Sequence, residues 1–136
     1  MKLRTLAVAV TAAAALATPA HADSTVQVSF ALGAGAYAPT GAACPLTVAS
    51  GADGVAVLDA AVAAHCIVSY TTESFAGFGT YVSCIDAVCA RPEAGNAGTY
   101  WNMTENGATT GYGVDGFRAA DGSELGFQYT AYCFCP

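Results

Sequence analysis

The sequence predicts an α+β fold in which one helix packs on a small mixed or antiparallel sheet stabilised by disulfides. Three observations carry this. A single run of helical period, Val55 to Cys66, stands among segments whose apolar and polar residues alternate as in half-buried strands. The stretch from Thr99 to Tyr132 reads as paired strands, closed by Asn106-Gly107 at a hairpin and Asp121-Gly122 at a second turn. Six cysteines, at 44, 66, 84, 89, 133 and 135, all follow an export signal and so meet an oxidising compartment.

That signal occupies residues 1–22. Lys2 and Arg4 form a positive start, Leu6 to Ala17 an apolar run, and Ala20-His21-Ala22 a small-residue cleavage site before Asp23. The apolar run is mostly alanine and shorter than the roughly 18 to 20 residues that span a bilayer, so it reads as a cleaved secretory peptide and not as an anchor. Residues 23–136 are then expected to form a single domain, secreted or extracellular, with the periplasm and the cell wall as the other possible locations.

Along that domain, Val26, Val28, Phe30 and Leu32 alternate with Gln27 and Ser29, the signature of a first strand over Thr25–Leu32. Small residues make 33–41 a loop, and Pro45 to Ala49 reads as a short second strand. Asp53 is a natural N-cap for a helix of about three turns, in which Val55, Leu58 and Val62 recur at helical spacing. Thr80 to Ile85 is rich in strand formers, and Arg91 to Gly98 reads as a loop of Pro, Gly and Asn. In the terminal strand Leu125, Phe127, Tyr129 and Ala131 share one face.

The cysteine spacing narrows the pairings. Cys84 and Cys89 flank a tight four-residue turn and are expected to bond to each other. Cys133 and Cys135 lie two apart in a strand, on one face but too far apart for an easy mutual bond. They are expected to reach Cys44 and Cys66, in either order. A zinc site would need closely spaced cysteine pairs or histidines, and only His65 follows the signal.

Charge excludes two classes of partner. Beyond the signal the chain holds ten acidic residues against Arg91 and Arg118 alone, a formal charge of −8 with no lysine. Phosphate recognition needs clustered cations, so neither nucleic acid nor an anionic membrane surface is an expected partner.

The residue order now carries a resemblance. Gly54-Val55-Ala56-Val57-Leu58-Asp59 at a helix start, Tyr81-Val82 and Ile85-Asp86 in a strand and turn, Tyr100-Trp101, Asn106-Gly107, Gly113-Val114 and Asp121-Gly122 follow one another over about residues 50–132. This string resembles the family related to the C-terminal domain of transcobalamin and intrinsic factor. The resemblance implies a β-grasp-like fold and an extracellular ligand-binding or surface role. It does not transfer cobalamin binding, because in that family the vitamin is held between this domain and a separate helical barrel for which this chain has no room. Ser123 stands where the family usually has Asp, and the extra cysteines imply a disulfide-hardened branch.

No residue pattern declares a reaction. His65 and Cys66 are neighbours that would not face each other on a helix, and an oxidised cysteine is no nucleophile. Asp115, Asp121 and Glu124 fit no calcium loop. Asn102-Met103-Thr104 is a glycosylation sequon. Phe75, Phe78, Tyr81, Tyr100, Trp101 and Tyr112 are the candidate binding residues, with Phe75 to Gly79 the preferred loop, although in a strand one of Tyr100 and Trp101 must face the core. The function expected is a secreted, non-catalytic binding or interaction module without cofactor, its partner a small molecule, a glycan or an extracellular protein. The alternative is a small secreted inhibitor of hydrolases that presents Arg91 and Pro92 on a rigid loop.

Overall fold

The computed structural model describes residues 22–31 and 43–134. The segment expected to be a signal, the loop expected over 33–41 and Cys135 lie outside these residues. In chain order the elements are β1 (Asp23–Ala31), β2 (Cys44–Ala49), α1 (Gly54–Ala63), β3 (Tyr70–Phe75), β4 (Gly79–Ile85), β5 (Val88–Cys89), β6 (Arg91–Glu93), β7 (Ala97–Glu105), β8 (Ala108–Thr109), a 3-10 turn (Val114–Gly116) and β9 (Glu124–Cys133).

The large sheet has the order β2-β1-β9-β7-β6, with β8 on β7. Its central pair, β1 and β9, is parallel, and the pairs flanking it are antiparallel. One helix beside a mixed sheet with a parallel centre is the β-grasp-like, disulfide-stabilised α+β architecture that the resemblance implied. A second sheet, β3-β4-β5, stands beside the single small sheet that the sequence predicts. Its first strand, Tyr70–Phe75, is hard to see in sequence because five of its six residues are exposed and no apolar alternation survives.

Alternation places the core. Val26, Val28 and Phe30 of β1, Leu46 and Val48 of β2, and Leu125 and Phe127 of β9 point to the helix side and are buried, with the Phe30 and Phe127 rings stacked at 5.7 Å. Ala131, expected on the same face, is exposed near the strand's end. The helix presents Val57, Leu58 and Ala61, while Val55 and Val62 are only partly buried. Its buried stripe is therefore turned from the expected Val55, Leu58 and Val62. The Asp53 carboxylate accepts from Ala56 N at 2.9 Å, which is the predicted N-cap.

The helix stops at Ala63, three residues before the expected Cys66. Cys66 N donates to Ala61 O at 2.9 Å and His65 N to Val62 O at 3.0 Å, a C-terminal reversal with His65 at positive φ. This reversal corrects the disulfide map: it returns the chain to β2, where Cys66 bonds Cys44 with Cα atoms 6.2 Å apart. Cys133 is also disulfide-bonded but reaches neither of them. On the chain-entropy account the Cys44–Cys66 bond, which joins residues 22 apart, stabilises by about 3 kcal/mol. Cys84 and Cys89 pair as expected, directly opposite each other in the β4–β5 hairpin with Cα atoms 4.0 Å apart.

The Asn106-Gly107 turn forms as predicted, with φ of 50° and 84° between the paired Glu105 and Ala108. At the second turn, the Asp121 carboxylate accepts from Thr25 N at 3.0 Å, and the buried Ser123 hydroxyl accepts from Ala120 N at 3.1 Å. The segment from Arg91 to Gly98 is not a plain loop. Arg91–Glu93 forms the edge strand β6, and residues 94–96 turn it into β7. No helix among the described residues is long and apolar enough to cross a membrane.

Candidate functional site

Where the chain leaves the small sheet after Cys89 and enters the large one at Arg91, the two sheets part and leave an open cleft of about 510 Å³. One wall is Glu73 and Phe75 of β3 with Tyr81, Val82 and Ser83 of β4. The other is Arg91 and Pro92 of β6, Thr99, Tyr100 and Trp101 of β7, and Tyr132 of β9, with Ala90 at the junction. Antiparallel pairing puts Glu73 opposite Tyr81 and Phe75 opposite Gly79, so alternate residues of the hairpin project into the space. The Phe75 and Tyr81 rings meet edge to face at 6.1 Å on one side, and Tyr100 and Tyr132 at 5.9 Å on the other.

Four of the six residues singled out in the sequence, Phe75, Tyr81, Tyr100 and Trp101, come together here. Tyr100 and Trp101 divide as a strand requires: Tyr100 is 39% exposed and Trp101 is 4% exposed. Trp101 belongs chiefly to the core and donates its Nε1 to Val88 O at 3.0 Å. Phe78 and Tyr112 do not join the cleft. Phe78 sits in the β3–β4 turn, 73% exposed. Tyr112 is engaged with the Glu105 carboxylate, and that hydrogen bond raises its pKa above the ordinary tyrosine value.

Sequence reasoning missed Glu73, Arg91 and Tyr132 as companions in one site. The pairing of β6 and β9 with β7 gathers Arg91 and Tyr132, and the meeting of the two sheets sets Glu73 of β3 across the cleft from them. Within the described residues the Arg91 guanidinium and the Glu73 carboxylate have no hydrogen-bond or ion-pair partner, nor do the hydroxyls of Tyr81, Tyr100 and Tyr132. The cleft therefore offers stacking surfaces together with unused donors and acceptors. Two of the three acids that fit no calcium loop hold backbone instead: Asp115 accepts from Thr80 N at 2.9 Å and Asp121 from Thr25 N at 3.0 Å. No group of three potential metal ligands is found among the described residues.

Comparison with solved structures places this architecture. Haptocorrin, solved in complex with Cbi, superposes with a TM-score of 0.67 at 21% identity, over 85% of this chain. The chain shares its fold with a part of this transcobalamin-family protein. It spans 27% of the length of haptocorrin, and at this identity the likeness is one of fold alone. A protein from Ruminococcus gnavus, whose proposed role is metal binding, superposes with a TM-score of 0.52 at 14% identity over 80% of this chain and 98% of its own. No family model and no curated protein matches the sequence.

Proposed function

We propose that this transcobalamin-like chain is an extracellular, non-catalytic binding module that seats its ligand in the cleft between the two sheets. The observation that carries the reading is the conjunction of aromatic walls with a guanidinium, a carboxylate and three phenols that the described residues leave unpartnered. Disulfides in both sheets support an oxidising compartment. The complex of haptocorrin with Cbi supports a small-molecule ligand class for the fold, while the cleft here is built from this chain's own residues. His65, the histidine that follows the signal, lies at the helix end and does not line the cleft, which leaves the cleft without an imidazole for acid–base work. Arg91 and Pro92 line the cleft, and the turn that an inhibitor would present is Ala94-Gly95-Asn96.

The test is a thermal-shift screen of the protein against cobinamide, neutral oligosaccharides and secreted proteases. A ligand present at a hundredfold its dissociation constant adds about 2.7 kcal/mol of stability. Tyr100→Ala and Arg91→Ala are expected to abolish the shift of a true cleft ligand. A ligand that stabilises both variants as well as it does the parent binds elsewhere, and the cleft reading would then be abandoned.

A further inference from the structure

Gly98 and Tyr132 are direct cross-strand partners on β7 and β9, and a Cβ built on Gly98 would lie 2.6 Å from the Tyr132 hydroxyl oxygen. The tip of the Tyr132 ring therefore lies over the bare glycine instead of standing off the sheet. Rings continue on both sides of it: Tyr100 at 5.9 Å lines the cleft, and Phe134 at 5.7 Å, 77% exposed, lies beyond it. An aromatic track thus leads out of the cleft.

We propose, resting on the cleft reading above, that the ligand is a neutral oligosaccharide chain that enters the cleft and stacks along Tyr100, Tyr132 and Phe134. Two arguments select this chemistry. The guanidinium of Arg91 only donates and the carboxylate of Glu73 only accepts, so an apolar occupant would strip both of water without compensation, whereas hydroxyls satisfy each. The acidic chain repels a polyanion, which removes charged polysaccharides. An extended peptide also carries donors and acceptors, but β6, the edge of the large sheet, has Pro92 at its centre and lacks a donor there, which leaves such a peptide the edge of β3 alone at the cleft. Sugar rings meet the exposed faces of flat aromatic residues and need no strand edge.

The test is an amide-resolved NMR titration of the protein with maltose-, cellobiose- and chitobiose-series trimers and hexamers. At least one series is expected to shift the amides of 81–83, 98–101 and 132, with the hexamer binding more tightly than the trimer. Tyr132→Ala is expected to weaken the hexamer about tenfold, Tyr132→Phe to retain it, and Phe134→Ala to remove only the hexamer's advantage. If cobinamide or a proline-rich peptide shifts the cleft amides and no oligosaccharide does, the glycan inference is overturned while the cleft reading stands. If no probe shifts those amides, or oligosaccharides shift others, both fall together.

Discussion

The indole of Trp101 reaches out of β7 to the carbonyl of Val88 on β5, Nε1 to oxygen 3.0 Å, and so ties the large sheet to the small one. Tyr129 makes a second tie beside it: its ring packs on Trp101 at 5.2 Å, and its hydroxyl donates to Cys89 O at 2.9 Å. β5 is two residues long and pairs with β4 alone. These side chains therefore hold the closed end of the wedge whose open end is the cleft.

Replacing Trp101 with Phe should keep most of the buried apolar area but strand the Val88 carbonyl. A part-buried acceptor left without its donor costs roughly 1 to 3 kcal/mol. Urea unfolding is expected to show a loss in this range for Trp101→Phe and about 1 kcal/mol for Tyr129→Phe. A loss below a few tenths for Trp101→Phe would show that the tie carries no weight.

Helix termination gives a second prediction, with the opposite sign. His65 holds φ of +59° at the position after the helix C-cap, where glycine is the common residue because a Cβ is disfavoured there. Its side chain is exposed. His65→Gly should stabilise by about 0.5 to 1 kcal/mol after the greater freedom of glycine in the unfolded chain is set against the relieved strain. A urea midpoint at or below that of the parent would contradict this.

How much of this was legible follows from where each signal is encoded. The N-cap Asp53, the Asn106-Gly107 turn, the β1 alternation and the Cys84–Cys89 hairpin are local features whose physics lies within a few residues, and each appears as read. The Cys44–Cys66 bond depends on where the reversed helix end meets β2, a tertiary fact that no spacing encodes. β3 shows no hydrophobic period because its outward residues are Thr, Glu and Ser. The site was half legible for the same reason. Aromatic residues announce themselves as a class, but the company that Tyr132 and Arg91 keep with Tyr81 is set by strand order and by where the two sheets meet.

Alkaline pH supplies a third test. Burial, chiefly, and then the hydrogen bond to Asp59 at 2.6 Å raise the Tyr70 pKa well above the usual tyrosine value of 10.0, because both favour the neutral phenol in the folded state. A group raised on folding contributes stability that is complete below its unfolded pKa and is lost as pH rises toward its folded value. Unfolding free energy should therefore fall above pH 10 or so, and Tyr70→Phe should flatten that decline. An alkaline limb of the same slope in the variant would assign it to other groups, of which Tyr112, raised by its bond to Glu105, is the next candidate.

The Gly113-Val114 pair of the resemblance string sits where the large sheet's helix and the small sheet meet, which explains why those two residues stand together. Val114 is 1% exposed and packs against the helix start, where a Cβ on Gly54 would lie 2.7 Å from the Val114 carbonyl oxygen. On the other side, a Cβ on Gly113 would run into the Thr80 backbone, and neither partner is a flexible side chain that can swing aside. Gly113→Ala must therefore push the 3-10 turn away from β4 and disturb the bond from Thr80 N to Asp115. A destabilisation above about 2 kcal/mol is expected, as for other backbone-level overpacking. Gly111→Ala is the control: a Cβ there meets nothing within 4 Å, so its effect should stay within about 0.5 kcal/mol. Equal urea midpoints for the two variants would mean that the turn can retreat freely, and that its contact with β4 at Thr80 does not hold the turn in place.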